Sequence, residues 1–149
     1  MVENRRKRAT AIIFKDGQML LLRRVKPDRE YFIFPGGGVE EGESIEEALV
    51  REVKEELSLE IKRWRFLFSV EDLAVPAQAT IHEGNRDEYY FLIEEYAGSP
   101  QIGGPEKERM NEQNQYHIVW LGLAEMEKMD NVYPKDGVRQ LGVYLRNGA

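Results

Sequence analysis

The sequence contains no cysteine, only two histidines and no long apolar run. Without cysteine the chain forms neither disulfides nor thiolate metal sites, and His82 and His117 are too far apart in sequence to indicate a zinc site. Any metal is therefore expected to bind oxygen ligands. No apolar segment reaches the roughly eighteen residues of a membrane-spanning helix, and the N-terminal segment lacks the apolar region of a signal peptide. We therefore expect a cytoplasmic protein with no membrane partner.

The chain has 149 residues, of which 42% are hydrophobic, and a formal net charge of −6. This size and composition are typical of one globular domain, so we expect residues 1–149 to form a single domain. The negative charge disfavours duplex nucleic acid as a partner, because a duplex binder needs a positive face. The basic run Arg5–Arg8 could contact phosphate, but short charged termini are usually just solvated, and we assign no site to it.

The most informative segment is a predicted helix whose apolar face contains acids. A capping-box pattern starts this helix at Ser44, and we expect it to end near Leu57. At about 100° per residue, Glu52 and Glu56 fall among the apolar side chains, and Glu55 lies at the edge of the same face. Carboxylates rarely enter a protein interior unless something neutralises them, and a hard cation such as Mg²⁺ does so. The alternative interpretation is a solvent-facing acidic helix.

A glycine-rich segment, Pro35–Gly38, precedes this helix and allows the backbone to turn sharply and approach a ligand closely. The two segments share a fixed spacing of a glycine, five residues, Glu, seven residues, Arg-Glu, an aliphatic residue, any residue and Glu-Glu. The positions are Gly37, Glu43, Arg51, Glu52, Glu55 and Glu56, followed by Leu59. This pattern resembles the Nudix box. Ser58 stands where the family usually has glycine.

The resemblance implies an α/β protein, an α/β/α sandwich with a mixed sheet. It also implies a Mg²⁺-dependent hydrolase, with Mn²⁺ as a possible substitute, that cleaves a pyrophosphate bond in a nucleoside diphosphate linked to another moiety. A nucleoside triphosphate or a related nucleotide would be the substrate, and many family members form homodimers. The alternative is a module of the same fold that binds a nucleotide or a protein without catalysis.

The resemblance also assigns a metal site to this chain. The carboxylates of Glu52, Glu55 and Glu56, with the backbone carbonyl of Gly37, are the implied ligands. Glutamates three and four residues apart on a helix can point into one small volume, which without a cation would be repulsive. Bound Mg²⁺ would act as a Lewis acid and lower the pKa of a coordinated water.

Besides Glu52, we predict two further catalytic residues, Arg51 and Glu112. Arg51 could form a bidentate pair that fixes the orientation of a glutamate, and Glu43 is a structural residue in the resembling family. In some members of the resembling family the general base is the glutamate that matches Glu52, and in others it is an acid on a loop, for which Glu112 is our candidate here. Glu106 and Glu108 are further possibilities for that loop acid, which must come within hydrogen-bond reach of the attacking water.

A nucleotide contact is expected where a predicted strand ends at Arg23 and Arg24. The resembling family often has a basic residue there, and because side chains alternate along a strand, at most one of the two faces the cleft. We assign the contact to Arg23, although strand-end solubility explains the pair equally well. Tyr31 and Phe34 could stack on a base, but aromatic residues in a short strand more often belong to the core.

The remaining elements are predicted from periodicity and turn signals. They are a hairpin that joins Ala9–Phe14 to Met19–Leu22, loops over Val25–Glu30 and Leu73–Asp87, strands over Tyr89–Tyr96 and Tyr116–Leu121, a long surface loop over Gly98–Gln115, and helices over Ala124–Met129 and Lys135–Arg146.

Overall fold

The structure of the protein, a computed structural model, describes residues 6–72 and 86–147. The strands are β1 (Arg6–Ile12), β2 (Phe14–Lys15), β3 (Gln18–Lys26), β4 (Arg29–Ile33), β5 (Gly36–Gly38), β6 (Glu60–Asp72), β7 (Arg86–Ala97), β8 (Gln115–Leu121) and β9 (Val132–Tyr133). The helices are α1 (Ile45–Leu57), α2 (Gly104–Arg109), α3 (Leu123–Lys128) and α4 (Lys135–Arg146). None of these helices has the length and apolar character that a membrane crossing requires.

The strands form two mixed sheets. The first has the order β5-β1-β7-β6, in which β1 runs parallel to β7 and antiparallel to β5. The second has the order β2-β3-β4-β9, and β8 also pairs with β3. In both sheets parallel and antiparallel pairs occur together. The predicted α/β class with mixed strand directions is therefore confirmed, with the strands distributed over two sheets.

Two separate hydrophobic clusters place helices on different sides of the sheets. One cluster contains Leu49 and Val53 of α1, and the other contains Met126 of α3 and Leu141 of α4. Each cluster draws residues from both sheets. Burial of such side chains contributes about 1.5–3 kcal/mol each, which holds the helices on the sheets. This arrangement agrees with the predicted sandwich.

The predicted hairpin forms, but with different strands. β2 and β3 pair across a turn at Asp16 and Gly17, both of which have positive φ angles of 53° and 77°. Asp-Gly is a preferred pair for such a turn because both central residues need positive φ. The residues of β1 do not belong to the hairpin, because the strand is interrupted at Ile13 and β1 pairs with β5 and β7 instead.

Other predicted elements agree with the structure at different levels. The predicted final helix coincides with α4, the strands over Tyr89–Tyr96 and Tyr116–Leu121 lie within β7 and β8, and Leu123–Lys128 forms the short helix. The loop predicted over Val25–Glu30 is instead a tight connection between β3 and β4. Most of the loop predicted over Leu73–Asp87 lies outside the described residues.

The segment Gly98–Gln115, which we predicted to be a loop, is not a loop throughout, because it contains α2. This helix has proline in its first turn, where the missing N–H costs no hydrogen bond. The segment is attached to the end of α1 through backbone hydrogen bonds from Gln101 N to Leu57 O, 2.9 Å, and from Gly103 N to Glu56 O, 3.0 Å. The accepting carbonyls belong to the last turn of α1, where a helix leaves its carbonyls without intrahelical partners. The sequence of the segment has no periodicity from which such contacts could be predicted.

Helix α1 has well-defined ends. At its start Ser44 and Glu47 form the predicted capping box, with reciprocal bonds of 3.0 and 2.9 Å. At its end Ser58 takes the left-handed conformation, φ 60° and ψ 29°, and its N–H donates to the carbonyl of Lys54. Serine therefore makes the turn for which glycine is usually used, at the steric cost of a side chain in this region.

We expect the substitution Ser58→Gly to raise the free energy of unfolding by about 0.5–1 kcal/mol, because glycine removes that steric cost. Urea denaturation of both proteins, with equal m values, measures the difference. Ser58→Ala is the matched control, since alanine keeps the Cβ and gains nothing. A glycine variant no more stable than the alanine variant would contradict this account of the turn.

Candidate active site

A cavity of about 300 Å³ opens where α1, the glycine turn and the ends of several strands meet. Most of its charged lining is cationic, and the acids are two glutamates of α1, Glu52 and Glu56. The cationic side chains are Arg6, Lys7, Arg8, Arg24, Arg86 and Arg109. The three glycines of β5 complete one wall. A cavity of this composition is suited to an anionic ligand, with its acids gathered on one helix.

The glycine turn fits closely against the acids of α1. The carboxyl group of Glu52 occupies the space that a Cβ on Gly37 would need, and Gly36 N donates a 3.0 Å hydrogen bond to Glu56 Oε1. Gly36 has φ 142°, and a Cβ there would overlap the carbonyl oxygen of Ala9. Position 36 therefore requires glycine, and a side chain at position 37 would displace the carboxyl group of Glu52. Glu56 is only 6% exposed, as its place on the predicted apolar face suggested.

Arg51 ties the acids and the turn together. Its Nε and Nη2 donate to the two carboxylate oxygens of Glu43 at 2.7 and 2.9 Å, and its Nη1 donates to Glu52 Oε1 at 2.8 Å. Nη2 also donates to the carbonyl of Gly38 at 3.0 Å. The paired Glu43 carboxylate raises the pKa of Arg51, and the same hydrogen bonds lower the pKa of Glu43 to about 2.

The donor atoms here fit a hard divalent cation. Glu52 and Glu56 present carboxylate oxygens to the cavity beside the backbone of Gly37, and oxygen donors are what Mg²⁺ prefers. Glu55 lies apart from them: its side chain is 48% exposed and its Oε2 lies 3.5 Å from Arg51 Nη1. Across residues 6–72 and 86–147, no three acidic or histidine side chains converge as a ready-made metal cluster.

The two other candidates from the sequence lie outside the cavity lining. Glu112 is exposed in the turn between Asn111 and Asn114, whose backbones pair with each other. Arg23 points away and donates two hydrogen bonds to Glu30 Oε2, at 2.7 and 2.9 Å. The roles of Glu112 in catalysis and of Arg23 in nucleotide binding stay predictions.

Arg24 lines the cavity where Arg23 does not. Arg24 is 2% exposed, and its guanidinium lies 3.6 Å from the centre of the Tyr116 ring and donates to Asn114 Oδ1 at 2.6 Å. A further hydrogen bond, of 3.4 Å, goes to the hydroxyl of Tyr31. Strand alternation allowed only one of the two arginines to face inward, and the structure places Arg24 there. Tyr31 and Phe34 are both buried, as expected for core residues.

The cations of β1 and β7 are the residues that our sequence analysis missed. The basic run at the start of the chain was expected to be solvated, but Arg6, Lys7 and Arg8 lie in β1 and line the cavity. They do so because β1 pairs in parallel with β7, with Arg6 opposite Arg86 and Arg8 opposite Glu88. The sequence does show a basic run directly before an apolar strand. It does not show the partner strand, because Glu88, which binds Arg8, lies 80 residues away in sequence.

The hydrogen bonds between Glu43 and Arg51 lead to a pH-dependent contribution to stability. A carboxyl with a folded-state pKa of about 2 and an ordinary value of 4.5 stabilises the fold fully above pH 4.5, and this stabilisation is lost as the pH falls towards 2. We expect Glu43→Gln to be less stable than the wild type at pH 7, by a margin that narrows between pH 5 and pH 3. Urea denaturation across this range measures the margin. Glu41→Gln, an exposed control, should show a small difference at every pH, and a constant margin for Glu43→Gln would refute the assignment.

Comparison with known proteins agrees with this geometry. A family model described as NUDIX domain matches residues 4–140. Nucleoside triphosphatase NudI of Escherichia coli O17:K52:H18 is 31% identical over 142 residues, which cover 89% of this chain and 93% of that protein. An ADP-ribose pyrophosphatase of Methanocaldococcus jannaschii is 53% identical over 49 residues, but this match spans only 32% of this chain and 29% of that protein.

Solved structures show the same fold. The E. coli ORF135 protein superposes with a TM-score of 0.70 at 26% identity, covering 97% of this chain and 91% of that one. The MutT protein from Methanosarcina mazei Go1 superposes with a TM-score of 0.72 at 19% identity and covers 99% of both chains. With the family model matching most of its length, this chain belongs to the Nudix hydrolase family.

Proposed function

We propose that this Nudix hydrolase cleaves a pyrophosphate bond of a nucleoside triphosphate with the help of Mg²⁺. The observation that carries the proposal is the cavity, in which six cationic side chains surround two carboxylates and a glycine turn. A triphosphate is the most highly charged of the common nucleotide groups, so this cationic lining favours it over a nucleotide sugar. Similarity to a nucleoside triphosphatase over almost the whole chain supports the same choice.

Hydrolases of this family generally need a divalent metal, and we propose that Glu52, Glu56 and the carbonyl of Gly37 hold Mg²⁺ in this chain. Glu55 would join them by rotating away from Arg51. When bound, the ion neutralises phosphate charge and lowers the pKa of a coordinated water. Mn²⁺ has the same preference for oxygen ligands and is the expected substitute.

The side chains of the protein itself orient and deprotonate the attacking water. We propose Glu52 as the general base, because its carboxylate lines the cavity while Glu112 does not. Arg51 donates a hydrogen bond to Oε1 of Glu52 and so fixes the orientation of this carboxylate beside Gly37. The lining cations bind the phosphate oxygens and exclude water from them, and Arg24 contacts the nucleotide. The predicted cytoplasmic location and homodimer stay predictions.

A substrate panel with Mg²⁺ tests this proposal. We expect the purified protein to release phosphate or pyrophosphate from at least one nucleoside triphosphate, faster than it cleaves ADP-ribose or a nucleotide sugar, and to lose this activity in EDTA. Product identification by chromatography shows which bond is cleaved. A folded protein that turns over no member of the panel would contradict the proposal, and faster cleavage of ADP-ribose would contradict the choice of substrate.

Substitutions on α1 test the assignment of the acids in the same assay. Glu52→Gln and Glu56→Gln should lower kcat by about a hundredfold or more, since each removes a charge that metal binding or proton transfer requires. Glutamine at position 56 can still accept the hydrogen bond from Gly36, so the fold should persist. Glu46→Gln is the matched control on the same helix, because its amide oxygen can still accept the bond from Trp64. Full activity in either cavity variant would refute the assignment.

Substitution of the two neighbouring arginines of β3, Arg23 and Arg24, tests which of them contacts the nucleotide. We expect Arg24→Gln to raise KM for the nucleoside triphosphate about tenfold, because a charged hydrogen bond to the ligand is lost, and Arg23→Gln to change KM less than about twofold. Circular dichroism melting shows whether both variants are folded. The reverse result, with KM raised only in Arg23→Gln, would restore the original assignment to Arg23.

A further inference from the structure

A fully buried acid, Glu88 of β7, lies directly behind the cations of the cavity. Its Oε1 accepts a 2.8 Å hydrogen bond from Arg8 Nη1 and a 2.7 Å hydrogen bond from the hydroxyl of Thr10. Its Oε2 lies 4.0 Å from Nη2 of Arg86. Glu88 has no exposed surface, whereas Arg8 and Arg86 both reach the cavity.

Arg8 links this acid to the glycine turn. Its Nη1 also donates to Thr10 Oγ1 at 2.7 Å, and its Nη2 donates to the carbonyl of Phe34 at 2.9 Å. Phe34 is followed by Pro35 and Gly36, and the N–H of Gly36 donates the hydrogen bond to Glu56. One guanidinium thus connects β1, β7 and the backbone that leads into the turn beside the acids of α1.

Stability alone is a poor explanation for this cluster. A buried ion pair contributes little beyond a well-packed apolar pair of the same volume, because desolvation offsets its attraction. Arg8 and Arg86 are long side chains that lose considerable freedom when they are ordered. Glu88 favours one orientation of each, through a hydrogen bond to Arg8 and through the attraction of opposite charges at 4.0 Å from Arg86. Both arginines line the cavity, so the cluster also fixes the shape of part of the cavity surface.

We propose that Glu88 is a positioning residue, which holds Arg8 and Arg86 in the orientation that binds the phosphate chain of the substrate. This inference rests on the proposed function of the cavity and adds a residue that does not line it. Glu88 acts through the two arginines and makes no contact with the ligand itself.

The direction in which Glu88→Gln changes the Kd of the ligand distinguishes a positioning role from a purely electrostatic one. Glu88→Gln removes a negative charge near the cavity, so a purely electrostatic contribution would tighten the binding of a polyanion. Positioning gives the opposite result, since the glutamine cannot orient both guanidinium groups. We therefore expect Glu88→Gln to raise the Kd for a nucleoside triphosphate analogue about tenfold, the loss of one charge-assisted contact.

Isothermal titration calorimetry with a non-hydrolysable nucleoside triphosphate analogue and Mg²⁺ measures this Kd without catalysis. The corresponding nucleoside monophosphate should lose less affinity, because it presents fewer phosphate oxygens to the two arginines. Glu95→Gln is the matched control, since Glu95 lies on the same strand, is 58% exposed and pairs with Arg63. It should bind the analogue like the wild type.

A double-mutant cycle with Arg8→Gln tests whether Glu88 acts through Arg8. The effects of the two substitutions on Kd should be strongly non-additive, with the double variant little weaker than Arg8→Gln alone. A folded Glu88→Gln protein with an unchanged or lower Kd would overturn the proposal, and so would additive effects. If Glu88→Gln does not fold, Thr10→Val removes the hydroxyl between Arg8 and Glu88, and the same weakening is expected of it; an unchanged Kd there overturns the proposal.

The two proposals fail in different ways. A wild-type protein that binds no nucleoside triphosphate would contradict the proposed function of the cavity. Wild-type binding and turnover, together with normal binding by the folded Glu88→Gln or Thr10→Val variant, would contradict only the role of Glu88.

Discussion

The packing of helix α1 against the glycine turn is the interaction on which the candidate site depends. Glu52 fills the space beside Gly37, and Glu56 accepts a hydrogen bond from the N–H of Gly36. The hydrogen bond from Gly36 offsets part of the cost of removing the Glu56 carboxylate from water. Arg51 does the same for Glu52, and its guanidinium also binds Glu43 and the carbonyl of Gly38. Turn and helix therefore define the site together, and neither forms it alone.

The parts of the structure that could be predicted from sequence are those in which interacting residues are close in the chain. The capping box at Ser44, the helix that ends near Leu57 and the Asp16-Gly17 turn depend on neighbours a few residues away. The same applies to the acidic face of α1, where helical periodicity alone brings Glu52 and Glu56 to one side. In such cases the type of each residue and its spacing from the next are enough to predict the local structure.

The parts that could not be predicted depend on contacts distant in sequence. Whether Arg23 or Arg24 faces the cavity is decided by the pairing of β3 with β4 and β8, and a one-residue change of phase exchanges the two side chains. Arg8 was expected to be solvated, because the sequence does not show that its strand, β1, pairs with β7, which carries Glu88. Helix α2 gave no periodic signal because it is short and contains glycine and proline.

The charge distribution explains how an acidic protein can bind an acidic ligand. The net charge is −6, yet the cavity lining is mainly cationic, so attraction of a polyphosphate must be local. At physiological ionic strength charges are screened beyond about 8 Å, and the exposed acids elsewhere on the surface therefore oppose binding only weakly. Within the cavity, buried cations such as Arg24 are screened much less. In the role that we propose for Glu88, the orientation of these cations matters as well as their number, because Glu88 lies behind Arg8 and Arg86 and contacts both.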